Sequence, residues 1–240
     1  MKPVVLVVGA GVATGGAIAK RFARAGYTAC VARRNVDKLN HLVGEIVAEG
    51  GTAHAYGVDS TDEAQMVDMV AHIEREVGPI EVAVYNAAIG THSPIAQHSA
   101  ADYERVWRVN AFGAFLMGRE VAKVMEPREK GTILFTGATS ALRGKANLAA
   151  FSGSKHALRA LAQSMARELF PKNIHVAHVI IDGPIDTPLI RKMMPKVFEE
   201  RPADGVLAPE AIADTYFAIH SQHRSAWTHE TELRPWKEPW

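Results

Sequence analysis

The feature that most constrains this chain is a repeated switch of hydrophobic period. Short runs rich in valine and isoleucine occupy residues 4–8, 28–32, 53–58, 82–85, 132–136, 175–181 and 226–233. Between them lie longer stretches of helical period at 15–25, 36–49, 62–77, 101–125, 148–170 and 209–220. The short runs are continuously apolar rather than alternating, as strands covered on both faces must be. A strand followed by a helix and then a parallel strand closes as a right-handed crossover. The pattern therefore predicts one α/β domain over residues 1–240, a doubly wound, seven-stranded parallel sheet with helices on both faces. Residues 184–208 interrupt it. They are punctuated by prolines 184, 188, 195 and 202, with a helix-compatible stretch at 189–200. A long excursion late in an α/β domain is expected to serve as a substrate loop.

Composition narrows the class of function. With 48% hydrophobic and 22% charged residues, a core can form without a metal or a disulfide. A net charge of +1 gives no electrostatic footprint for nucleic acid or an anionic membrane. Cys30 stands alone, so no internal disulfide is expected, and a reducing cytoplasmic setting fits. The apolar residues 3–8 are too few for a signal core or a membrane span. Eleven histidines show no ligand spacing such as His-Glu-x-x-His, and no metal is expected.

The first strand runs directly into Gly9-Ala10-Gly11-Val12-Ala13-Thr14-Gly15-Gly16. Glycines between a strand and a helix let backbone approach a pyrophosphate, which then meets the free N–H groups and positive dipole end of the helix. A tight βα turn would use the same residues, but the position after the first strand and before a helix favours a dinucleotide site of the Rossmann type. The second strand ends in Arg33-Arg34-Asn35, with no carboxylate to hold a ribose diol. Two arginines suit a 2′-phosphate, which predicts NADP(H) as cofactor. The alternative is a solvated basic turn with Asn35 capping the next helix.

Taken together, the motifs resemble those of the short-chain dehydrogenase/reductase family over nearly the whole chain. The glycine turn is similar to that family's Thr-Gly-x-x-x-Gly-x-Gly, keeping Gly9 and Gly15 with Ala13 at the middle glycine. Asp59 stands where the family's adenine-binding Asp does. Tyr85-Asn86-Ala87-Ala88 resembles Asn-Asn-Ala-Gly, and Asn110 resembles the helix Asn of the catalytic group. The segment from Ile181 through Asp182, Gly183, Pro184, Ile185 and Asp186 to Thr187 resembles the Pro-Gly-x-x-x-Thr that holds the nicotinamide. The resemblance thus implies cofactor contacts from Gly9, Gly11, Ala13, Thr14, Gly15, Arg33, Arg34, Asp59, Asn86, Ala87, Lys155, Gly183, Ile185 and Thr187. It implies catalytic roles for Asn110 and Lys155.

Two departures accompany these matches. The family's Tyr-x-x-x-Lys reads here Phe151-Ser152-Gly153-Ser154-Lys155, and the serine expected 13 residues before the tyrosine is Ala138. Of the lysine's two family roles, tuning the tyrosine and gripping the nicotinamide ribose, only the second survives. Loss of a positioned general acid is worth roughly 10²–10⁴-fold in rate. Ordinary ketone turnover should be poor. The expected activity is NADP(H)-dependent hydride transfer to an activated acceptor, a quinone, enone, imine or carbonyl. The alternative is a non-catalytic NADP(H)-binding sensor or scaffold. Thr139, Ser140 and His92 are candidate substitute acids, whereas Ser152 and Ser154 should face away, and Tyr85, His54 and His178 should be structural. The apolar residues Ala111, Phe112, Ala114, Phe115 and Met117, with Leu148, Phe151, Ala157, Leu158, Leu161 and Met165, exceed what one sheet face should cover, and the family resemblance implies that they pair across a two-fold axis in a homodimer or homotetramer. A small-molecule substrate is expected.

Overall fold

The computed structural model describes residues 1–201 and 203–238. Pro202, counted above among the prolines of the late excursion, lies outside them. The strands are β1 (Val4–Val8), β2 (Thr28–Arg33), β3 (Thr52–Gly57), β4 (Ile80–Tyr85), β5 (Gly131–Thr136), β6 (Ile174–Ile181) and β7 (Glu230–Leu233). They form one parallel sheet in the order β3-β2-β1-β4-β5-β6-β7. The chain builds outward from β1 to β3, then returns to place β4 beside β1. Strand order therefore reverses between β1 and β4, and a crevice opens at their carboxyl ends.

Helices cover both faces: α1 (Thr14–Arg24), α2 (Asn40–Ala48) and α9 (Pro209–His220) on one, α3 (Glu63–His72), α5 (Gly113–Met125) and α6 (Ala149–Leu169) on the other. Alternate residues of each strand feed two cores. Val5, Val7, Val31 and Val179 pack with Ile18, Phe22, Ile212 and Tyr216. Leu6, Tyr85, Phe135 and Val176 pack with Met66, Leu116 and Leu158. No helix among the described residues is long and apolar enough to cross a membrane.

Several elements depart from the periodicity, each for a local reason. β3 is an edge strand and half-exposed, so His54 faces solvent rather than a core. The run 226–233 shortens to β7 because Arg224–Ala226 forms a 3-10 turn and Trp227 stacks flat on His175, ring centroids 4.7 Å apart. The stretch 101–125 is divided by a π turn, Arg108–Phe112, between α4 (Ala100–Trp107) and α5. The wider turn carries the fully buried Asn110, and such insertions recur at functional sites. The stretch 36–49 begins as a 3-10 turn, and Asn35 makes no side-chain cap. Residues 189–200 are helical but split into α7 (Pro188–Met193) and α8 (Pro195–Glu200), because Pro195 cannot donate to the preceding turn.

Two histidines, His178 buried and His220 half-buried, set an acid limit on this fold. Burial draws His178 down to about 4, against the pull of Glu230, and draws His220 to about 4 as well. Both protonate in the unfolded chain near pH 6.5 but resist it in the folded one. Between pH 6.5 and 4 the unfolded state therefore binds more protons, and stability falls as pH falls. Thermal melts at pH 7 and 4.5 should show a marked loss of Tm. Each histidine contributes on the order of 2 kcal/mol, and His220→Gln should flatten part of the slope.

Candidate active site

The site begins where β1 and β4 end. Gly9 has φ of +90°, and a Cβ there would lie 2.3 Å from the backbone nitrogen of Ala87. Only glycine lets the two strand ends approach so closely. A Cβ on Gly15 would lie 2.6 Å from the Gly9 carbonyl and 2.9 Å from Asn86 Nδ2, so α1 also presses against the switch point. Asn86 Nδ2 donates to the Gly9 carbonyl at 3.0 Å, and Thr136 Oγ1 donates to Asn86 Oδ1 at 3.1 Å. Thr136 Oγ1 also shares a 2.8 Å bond with Tyr216. These bonds tie β1, β4, β5 and α9 together beneath one cleft.

That cleft has a volume of ≈ 580 Å³. Ala13 and Thr14 line it from the start of α1, Asn86 from β4, Ala138, Phe151 and Lys155 from β5 and α6, and Gly183, Ile185 and Thr187 from beyond β6. Residues singled out from sequence on four separate segments thus line one cleft. The start of α1 fits a bound diphosphate: Ala13 supplies no side-chain cap and the first turn holds no acid, so its N–H groups and dipole face the cleft. Gly11 leaves open space there, its nearest neighbour being Arg33 Nη1, 3.4 Å from where a Cβ would stand. Arg33 is half-buried and Arg34 exposed. Among the described residues, neither arginine is engaged by a carboxylate.

Other candidates lie outside the cleft lining. Asp59 borders a neighbouring concavity with Arg108, and its Oδ1 accepts from the Thr61 amide at 2.9 Å and hydroxyl at 2.8 Å. Asn110 sits beneath the cleft. Its amide binds the backbone of Ile89 on both sides and donates to Ser154 Oγ, each at 2.9 Å, fixing the loop after β4 to α6. Ser154 in turn donates to the Phe151 carbonyl, Ser152 is buried, and neither residue is part of the cleft lining. Tyr85 is buried and bonded to Ser60 and the Val109 carbonyl, with burial raising its phenol. His92 is solvent-exposed. Thr139 donates its hydroxyl to Asp182.

Lys155 is 3% exposed and donates to the Thr136 carbonyl at 2.8 Å. Its Nζ stands 5.8 Å from the centre of the Phe151 ring, and burial draws it down to about 8. Two clusters were missed from sequence. Arg159 pairs with Glu230 through two bonds of 2.7 and 2.6 Å, and Glu230 holds His178 Nδ1 at 3.0 Å. Asp182, buried at the end of β6, is shared by Thr139 and Arg234, with Arg143 3.6 Å away. Polar residues at the ends of apolar strands were the available signal, but pairings across 50 residues leave no mark in local pattern. Among the described residues, no group of three or more His, Cys, Asp or Glu is placed to hold a metal.

The family model described as short chain dehydrogenase matches residues 3–197. The 7alpha-hydroxysteroid dehydrogenase of Escherichia coli K12 is 32% identical over 196 residues, 82% of this chain and 76% of that protein. The 2,3-dihydro-2,3-dihydroxybenzoate dehydrogenase of Bacillus subtilis is 30% identical over 184 residues, 77% of this chain and 70% of that one. A short-chain dehydrogenase from Rhodopseudomonas palustris superposes with a TM-score of 0.84 at 39% identity, covering 98% of this chain and 99% of its own. A metagenomic short-chain oxidoreductase in complex with NADP shares the fold at a TM-score of 0.82 and 24% identity. A glycine-turned β1–α1 junction at the switch point, an uncapped helix start and a lysine in the facing wall are what such a fold offers a dinucleotide, and the chain belongs to the short-chain dehydrogenase family.

Proposed function

We propose that this protein is an NADP(H)-dependent oxidoreductase that transfers hydride between the nicotinamide and a small activated acceptor, a quinone, enone, imine or carbonyl. The observation that carries this reading is the cleft itself, where Lys155 is retained while the neighbouring wall is made of Phe151 and Ala138. When bound, the nicotinamide supplies hydride. The free N–H groups of α1 suit its diphosphate, and Lys155 suits a ribose hydroxyl. Gly183, Ile185 and Thr187 border the end where the acceptor would sit, and residues 184–208 would cover it. Phe151 and Ala138 offer no hydroxyl to a developing oxyanion, which favours acceptors that need little help. The same two residues are what a non-catalytic NADP(H)-binding protein would carry.

Arg33 and Arg34 support NADP(H) over NAD(H), because the Arg33 guanidinium beside Gly11 and the exposed Arg34, neither engaged by a carboxylate among the described residues, suit a 2′-phosphate. Cys30 is buried with its thiol pushed up to about 12, which fits a protein of the reducing cytoplasm. A homo-oligomer is supported by a smaller surface than sequence suggested. Ala111, Ala114, Met117 and Leu158 are buried in the chain's own core. Tyr103, Trp107 and Phe115 remain 40–42% exposed on α4 and α5, with Arg119 over the Phe115 ring at 5.4 Å.

Consumption of NADPH across a panel of quinones, enones, imines and ketones tests the activity. Tight NADPH binding with no oxidation by any acceptor would favour the non-catalytic reading. In cofactor titrations, Arg33→Ala with Arg34→Ala should weaken NADP(H) by on the order of 10-fold or more per lost pairing while leaving NAD(H) little changed. Equal affinity of the unaltered protein for both cofactors would refute the phosphate assignment. Phe151→Tyr with Ala138→Ser should raise ketone reduction by about 10² or more, and Phe151→Tyr alone by less. Light scattering at micromolar concentration should give a dimer or tetramer mass, and a monomer would refute self-association.

A further inference from the structure

The cleft holds one titratable group. Among the described residues lining it, only Lys155 carries a side chain that can gain or lose a proton. Asn86 and Thr136 are spent on Gly9, on each other and on Tyr216. An ammonium has three N–H donors. One goes to the Thr136 carbonyl, and among the described residues no carboxylate or second acceptor takes the others. The face toward Phe151 is an apolar ring.

We propose that Lys155 is itself the proton donor of this site, giving an Nζ proton to the heteroatom of the acceptor as negative charge develops there. The assignment rests on the oxidoreductase reading above. The acceptor carbon would take a hydrogen and its electron pair from a reduced nicotinamide when one is bound, that cofactor being oxidised as the acceptor is reduced. At Nζ one N–H bond breaks, and its electron pair stays on nitrogen as a lone pair. The proton forms the new O–H or N–H bond of the product. Solvent then restores the proton to Nζ. In the oxidative direction the same nitrogen accepts the proton from the alcohol or amine.

The surroundings favour this exchange. Burial makes the charged form costly and brings Lys155 down to about 8, so the proton is held at neutral pH yet readily released. Facing it from β6 is His178, packed under Gly137 and drawn down to about 4, hence uncharged at neutral pH. Behind His178 stands Glu230 of β7, already paired with Arg159. Thr136 of β5 and Asn110 of the π turn are uncharged. No carboxylate among these groups is left to hold Lys155 in its cationic form.

The test uses the full chain. In the free protein, ¹³C NMR of the lysine Cε signals, assigned by loss of one in Lys155→Ala, should show one lysine titrating near pH 8. With NADPH and an activated acceptor, kcat should fall about tenfold per pH unit above that point. Lys155→Arg keeps a cation but cannot release its proton. It should lower kcat by roughly 10²–10⁴ and abolish the alkaline limb, with NADPH affinity largely kept. In Lys155→Ala, added primary amines should restore rate in proportion to their proton-donating strength, which a merely structural lysine would not permit. A Lys155 that stays charged beyond pH 10, or an alkaline limb unmoved in Lys155→Arg, overturns the assignment even if NADPH is oxidised. NADPH that binds and is never oxidised overturns the underlying activity, and the proton transfer with it.

Discussion

The structure depends on how closely β1 and β4 come together at their carboxyl ends. A backbone contact that leaves no room for a single Cβ on Gly9 fixes the one place where the sheet changes direction. Everything at the site is referred to it. Asn86 bonds across it, Thr136 bonds to Asn86, and Lys155 bonds to the carbonyl of Thr136. A crevice at such a reversal is a consequence of strand order. Its rigidity here comes from a chain of hydrogen bonds that runs from the first strand to the sixth helix, ending on the Lys155 ammonium and using no charged pair.

Much of this was legible in the sequence, because its signals were local. Strand and helix alternate visibly, and the glycines of the first turn have a steric reason that can be read without coordinates. Four segments far apart in the chain, around Ala13, Asn86, Lys155 and Thr187, do share one cleft. What stayed hidden depends on which side of an element faces inward. Asn110 reads as a member of a catalytic group, yet every polar atom of its amide is occupied in holding Ile89 and Ser154. The apolar residues 111–117 read as surplus surface for self-association, yet Ala111, Ala114 and Met117 are buried in the chain's own core. The partners of Asp182 and Glu230 come from distant strands, and no periodicity announces them.

The electrostatics of the site follow from packing rather than from opposing charge. Most cations here find carboxylates: Arg128 with Glu74, Arg119 with Glu120, Arg159 with Glu230. Among the described residues Lys155 does not, and it is the most thoroughly buried of them. Taking an ammonium out of water without a counter-charge is unfavourable. A fold that tolerates it maintains a group whose charge is easily lost, and the apolar Phe151 beside it sustains that condition.

The buried carboxylate of Asp182 has a further consequence. It joins the turn at Thr139, the end of β6 and Arg234 just past β7 through one side chain. Thr139 follows directly on Ala138 in the wall of the cleft. The segment after the last strand is therefore an outer buttress of the cleft, through Arg234 on Asp182 and through Pro235 packed on Gly183 of the lining. Relatives that differ only beyond β7 would shape that pocket differently while every motif around it stayed the same. Selectivity in this fold can then drift through a part of the chain that a search for functional motifs would pass over.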